Sequence, residues 1–287
     1  MLVRPEGKGI LRVFDPLQYP TCVWSPDCIM NLTVFLENNA LRRDKDGFVV
    51  RTNNDRELYH VKKNIEVFDK LSPSTMEDFS MELLVTVNGD LTDDRAINYL
   101  KSIDDKHISN NRIHITVWQR PNIGWQWGAL WDIWQRWKGL NTRWWISKEC
   151  DWHFQVENYF DVLREKFYEA EESGKKVCFV SGHERKFDMC PYEYDGPLDK
   201  GVWRDMDNKP LENAGIEDIR HVQPSYYFIT KGFLDDMDKS FGCFTAALGK
   251  SYQLDAICHG EIGFCQKAKA LGYKWISYDD LVYNEDY

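Results

Sequence analysis

The stretch IHITVWQRPNIGWQWGALWDIWQRWKGLNTRWWISKECDWHF, residues 113–154, decides how the chain is read. It opens as a strand from Ile113 to Trp118, turns through Gly124, and continues as an aromatic helix. After a short loop it enters a second apolar strand, Trp144-Trp145-Ile146-Ser147, which delivers the acidic tripeptide Glu149-Cys150-Asp151. In an open α/β sheet, ligands bind beyond the carboxyl ends of the strands. Two carboxylates just past this strand therefore stand at the mouth of a site suited to a divalent cation and a phosphate.

Upstream, the first thirty residues hold Pro5, Pro16, Pro20 and Pro26 and no sustained period, which reads as an extended lead-in. Met30 to Leu36 fits a first buried strand and Phe48 to Val50 a short edge strand. A helix follows from Arg56 to Leu71, with Leu58, Val61, Ile65 and Phe68 on one face and Ser72-Pro73 ending it. Met81 to Val87 is a second buried strand that turns out through Asn88-Gly89-Asp90. The next helix has Asp93 and Asp94 in its first turn, where the dipole favours negative charge, and Ile97, Leu100 and Ile103 inside. Strand and helix in alternation predict a parallel sheet built from right-handed crossovers. In the aromatic helix, Trp127, Trp131 and Trp134 recur at helical spacing and read as a core face, whereas Trp125 in the turn is the better ligand contact.

Downstream, Val156 to Glu172 is an amphipathic helix and Val177 to Val180 a strand. Residues 181–222 are polar and irregular, and a connection of that length inside a domain is more often functional than decorative. Ser225 to Ile229 is a strand followed by a helix from Lys231; His259-Gly260-Glu261 opens a helix from Ile262 to Leu271, and Tyr273 to Ile276 is the last strand.

With 287 residues, 43% of them hydrophobic, the chain can bury a sizeable core. A net charge of −10 argues against general affinity for nucleic acid or anionic membranes. No apolar run approaches the roughly 18 residues of a membrane span, and the N-terminus lacks a signal-peptide core, so a cytoplasmic protein is expected. The eight cysteines are scattered without a CxxC pair, as expected of reduced, buried thiols.

In this order the elements resemble the GT-A fold glycosyltransferases, especially the inverting group that includes family 2. Four landmarks carry the resemblance across residues 31–276: the Asn88-Gly89-Asp90 turn; Arg120-Pro121-Asn122-Ile123-Gly124 followed by Gly128-Ala129; Glu149-Cys150-Asp151 in the place of the DxD motif; and Gly260-Glu261 before a helix ending Ala268-Lys269-Ala270-Leu271-Gly272. The resemblance implies an α/β GT-A fold with a mixed, mostly parallel sheet flanked by helices. It also implies a single domain over 1–287, in which residues 31–151 form a Rossmann-like nucleotide-sugar half and 152–287 an acceptor and catalytic half.

The resemblance further implies transfer of a sugar from a nucleotide-diphosphate-sugar, UDP-linked, to a hydroxyl of a glycan or glycoconjugate. Leu36, Glu37, Asn88, Asp90, Arg120, Asn122, Gly124 and Glu149 would face the donor. Asp151 with Glu149 would bind Mn²⁺ or Mg²⁺, and Trp152, His183 and His259 would contact the acceptor. Inversion needs a base for the acceptor hydroxyl, and the family's position for it falls on Glu261. The sequence departs from the family at Glu149, where Asp is usual, and at Ile262, where a second acid is expected. A retaining transferase and a catalytically degenerate carbohydrate-binding protein are the alternatives on the same fold. Asp279-Asp280 resembles the acidic motif but lies beyond the last helix and reads as solvated surface.

Overall fold

The computed structural model describes residues 12–13, 25–36, 41–43, 49–51, 54–122, 124–182, 184–187, 219–222, 225–242, 244 and 260–284. Among them a nine-stranded sheet runs, edge to edge, through Arg12–Val13 (β1), Ile113–Arg120 (β7), Met81–Asn88 (β5), Cys28–Phe35 (β2), Trp144–Glu149 (β8), Tyr226–Thr230 (β13), Val177–Ser181 (β10) and Lys274–Ser277 (β14). His107–Ile108 (β6) also pairs with β7. The pairings across β1, β7, β5, β2 and β8 are parallel. β13 then runs antiparallel to both β8 and β10, and β14 returns parallel to β10. This is the mixed, mostly parallel sheet flanked by helices that the resemblance implies, and one continuous sheet draws strands from both halves of the chain.

Central strands covered on both faces must be apolar nearly throughout, and β2 and β5 are buried along almost their whole length. One face packs on Asn54–Lys70 (α1), Asp94–Ile103 (α2) and Tyr159–Glu172 (α4). The other packs on Trp125–Trp137 (α3), Lys231–Phe241 (α5) and Gly263–Ala270 (α6). The core face expected of α3 is present: Trp127 and Trp134 are buried and Trp131 packs beside them half-buried. The Trp134 indole donates to Asp238 at 3.0 Å, and Lys138 reaches the same carboxylate at 2.9 Å, joining α3 to α5.

Several elements differ from the sequence reading. Part of the lead-in, Arg12–Val13, is an edge strand. Leu41–Arg43 (β3) pairs with Val49–Arg51 (β4), close to the short strand expected at Phe48 to Val50. The connection after β10 is not irregular at its ends: Glu184–Phe187 (β11) and Ile219–Val222 (β12) form an antiparallel ribbon, and Glu37, His183 and His259 lie outside the described residues. Trp152–Phe154 (β9) and Val282–Asn284 (β15) make a second ribbon that no periodicity announces. α4 starts at Tyr159 because Asn158 adopts φ 57°, which breaks the helical run from Val156. Cys28, Cys150, Cys178 and Cys265 are buried free thiols, and no helix among the described residues is long and apolar enough to cross a membrane.

The loop after α1 is fastened to the first turn of α4 by Asp161. Its carboxylate accepts from Ser74 Oγ at 2.7 Å and from Thr75 N and Oγ1 at 2.6 and 2.9 Å, with Arg164 3.4 Å away. Burial alone would raise the Asp161 pKa, but these donors and Arg164 outweigh it and hold the pKa below the usual carboxylate value. A depressed folded-state pKa contributes stability above the unfolded value of about 3.9, and the contribution is lost as pH falls through the folded value. Asp161→Asn is therefore expected to cost on the order of 1–2 kcal/mol at pH 7. That deficit should narrow below pH about 4, as urea unfolding of both proteins at pH 7 and pH 3 will show.

Candidate active site

Strand alternation gives the α3 side of the sheet a polar end. Asn31 and Thr33 on β2 are in register with Ser147 and Glu149 on β8; on the other side, Thr86 and Asn88 on β5 lie level with Trp118 and Arg120 on β7. Asn31 donates to Thr33 Oγ1 at 3.0 Å and lies 3.5 Å from Ser147 Oγ. Arg120 is buried, donating from Nη1 to Asn88 Oδ1 at 2.6 Å and from Nε to Asp132 Oδ2 at 2.6 Å. Burial pushes the Asp132 carboxyl up, while the Arg120 guanidinium pulls it back. Arg120 thus fastens the turn after β5 to α3, and Asp132 balances part of its charge. Gly89, at φ 104°, donates its N–H to the Arg120 carbonyl at 2.8 Å, which leaves Asp90 exposed at the tip.

The step from β7 into α3 is held in left-handed backbone at two consecutive residues, Gly124 (φ 71°) and Trp125 (φ 53°). That region is cheap for glycine and strained for a bulky side chain, and such strain persists only where the surroundings impose it. The half-buried Trp125 ring lies 5.0 Å from Phe35, at the end of β2, so two aromatic faces line the mouth between neighbouring strand ends. Asn122 is half-buried just ahead of this turn. Leu36, expected at the donor, is fully buried among the apolar side chains on the α1 side.

At the end of β8 the chain turns sharply after Glu149 instead of continuing extended, and the Cys150 N–H donates to the Thr33 carbonyl at 3.1 Å. Glu149 stays half-buried on the α3 side. Asp151, 8% exposed, accepts at Oδ2 from Asn284 at 3.3 Å, with Arg56 Nη2 3.9 Å away. The two carboxylates flank one turn and do not leave the strand along a single extended exit. Trp152 follows half-buried, packed against the core.

Glu261 comes from the far end of the chain. The phenol of the buried Tyr227 is pushed well up, first by burial and then by the charges of Cys265, Glu261 and Glu149. Its hydroxyl donates to the Val222 carbonyl at 2.9 Å. Burial outweighs both carboxylate charges, and Glu261 itself sits at the start of α6. That start is a single wide turn over residues 260–262, pressed onto α3: a Cβ on Gly260 would fall inside the Trp127 indole. Trp127 in turn lies 4.5 Å from Phe264 and 4.9 Å from Tyr227.

Behind the acidic turn lies a buried polar group that sequence reading passed over. Lys148 is fully buried and donates to Asn64 Oδ1 at 2.6 Å, to the Glu149 carbonyl at 3.0 Å and to the Trp152 carbonyl. Burial lowers its pKa to about 7 against the charges of Cys150, Asp151 and Glu149. Cys150 Sγ donates to Glu57 Oε2 at 3.0 Å, Asn64 Nδ2 donates to the Cys150 carbonyl at 2.5 Å, and His60 Nδ1 lies 3.1 Å from His153 Nε2. The signal was present in α1, where Glu57, His60 and Asn64 share the apolar face at helical spacing and so had to be buried with partners.

No protein-family model matches the chain, and no curated protein matches it in sequence. Among solved structures, that of S. aureus TarS 1-349, a glycosyltransferase, is similar with a TM-score of 0.40 at 12% identity. The match covers 90% of this chain and 59% of that one, so the chain spans less than two thirds of that structure. A likeness this distant assigns no residue role.

The contact between Trp127 and Gly260 is directly testable. Gly260→Ala is expected to cost about 1–3 kcal/mol by overpacking. In a Trp127→Leu background, where the indole is gone, the same change should cost little, and chemical denaturation of the four proteins closes the cycle. Equal costs in both backgrounds would show that the two residues do not meet.

Proposed function

We propose that the chain is a GT-A glycosyltransferase that moves a sugar from a nucleotide-diphosphate-sugar, UDP-linked, to a hydroxyl of a glycan acceptor, with inversion and with Mn²⁺ or Mg²⁺. The observation that carries this reading is the acidic turn from Glu149 to Asp151 at the carboxyl end of β8, a central strand that runs parallel to β2, which is where open α/β sheets bind ligands.

Each role follows from the chemistry of the groups. The acceptor oxygen attacks the anomeric carbon from the side opposite the diphosphate, Glu261 takes the hydroxyl proton, and the bond to the diphosphate oxygen breaks with its electron pair. Asp151 and Glu149 would hold Mn²⁺ or Mg²⁺ through the carboxylate oxygens that hard divalent cations prefer, and the ion would supply positive charge against the departing diphosphate. No group of three or more His, Cys, Asp or Glu side chains gathers among the described residues. The half-buried Asn122 and the Trp125 and Phe35 rings would border the donor, while Asn88, fully buried against Arg120, would act with it from behind. On this reading Arg120 acts by shaping the turn after β5.

Thermal unfolding against UDP-, GDP- and dTDP-sugars, with and without Mn²⁺, tests the reading. A ligand at about 100 times its Kd adds about 2.7 kcal/mol to the folded state, so one nucleotide should raise the midpoint in a metal-dependent way. Asp151→Ala should abolish that shift. Glu261→Gln should keep it while slowing transfer at least about 100-fold. No shift with any nucleotide would favour a carbohydrate-binding protein, and a product of retained configuration would remove Glu261 from the role of base.

A further inference from the structure

We infer that Lys148 and the buried stripe Glu57, His60 and Asn64 of α1 form a polar clamp that fixes the Glu149–Asp151 turn and thereby sets the geometry of the donor site. The functional half of this inference rests on the reading proposed above; the mechanical half does not.

The argument starts from alternation. Lys148 and Cys150 point to the α1 side, and each is caught by a side chain of that helix: Lys148 by Asn64 at 2.6 Å and Cys150 by Glu57 at 3.0 Å. One residue past Trp152, His153 meets His60 at 3.1 Å. Helix positions 57, 60 and 64 lie on one face, so three successive polar contacts from one rigid element bracket the turn. Glu149 and Asp151 lie between the anchored positions, and Asp151 is met from outside that stripe by Asn284 and Arg56.

Lys148 ties the turn to itself as well. Its nitrogen donates to the carbonyls of Glu149 and Trp152, one on each side of Asp151, and to Asn64, which uses all three N–H groups of an ammonium. It makes no ion pair among the described residues. A buried amine without a counter-ion is a poor source of net stability, and an apolar side chain of similar length would fill the space at lower desolvation cost. What such a side chain would lack is the bridge across the turn: two main-chain carbonyls and the Asn64 amide oxygen would lose their donor. Lys148 is therefore a positioning residue, acting on ligand groups through the backbone that carries them.

The test uses the full chain with Lys148→Met and, in case that variant does not fold, Asn64→Ala. Two measurements are made on each: amide hydrogen exchange, and the Kd for UDP in the presence of Mn²⁺. The clamp predicts at least about tenfold faster exchange in residues 149–154, with protection of the remote strand β10 unchanged, and at least about tenfold weaker Mn²⁺–UDP binding. Wild-type exchange in that segment, or acceleration spread evenly over the chain, would overturn the clamp. Local acceleration with unaltered Kd would overturn its link to the donor site. Wild-type protein that fails to bind Mn²⁺–UDP would instead sink the donor reading, while the exchange data still decide whether Lys148 holds the turn.

Discussion

The contact on which the arrangement of this molecule depends is the seating of the Trp127 indole against Gly260. α3 descends from the first half of the chain and α6 begins near its end, and the residue between them has no side chain because the indole occupies its place. Phe264 and Tyr227 close around the same ring. A large apolar side chain buried on all sides contributes roughly 1.5–3 kcal/mol, and here that energy falls at the junction of α3 and α6, one residue before Glu261.

Much of this was legible from the residues. Continuous apolar runs located β2 and β5, and helical spacing located the buried indoles of α3. The reading went astray where local pattern and tertiary demand diverge. The acidic tripeptide read as delivered straight from its strand, but the chain turns after Glu149 and Asp151 meets Asn284 and Arg56. Arg120 read as a cation for a nucleotide, and only the fold reveals that Asp132, twelve residues on, already holds it. β9 and β15 were invisible because three-residue strands carry no period; their pairing is set by neighbours distant in sequence.

The sheet also separates two kinds of polar burial. On the α3 side the polar ends of β2, β5 and β7 are buried and pair among the strands and with α3, as in Asn31 with Thr33 and Arg120 with Asn88 and Asp132. On the α1 side the polar atoms are turned inward on one another, as in Lys148 with Asn64 and Cys150 with Glu57. A hydrogen-bonded interior of this kind resists rearrangement, since moving any member strands the others without partners.

The reversed direction of β13 has a consequence for how such a chain can change. Because β13 runs against β10, the exit from one and the entrance to the other lie at the same end, and the ribbon of β11 and β12 rises there, beside the acids. The entropy of closing a connection grows by only about 0.6 kcal/mol for each doubling of its length. Segments of different size and composition can therefore be exchanged between the two arms without disturbing a single register in the sheet.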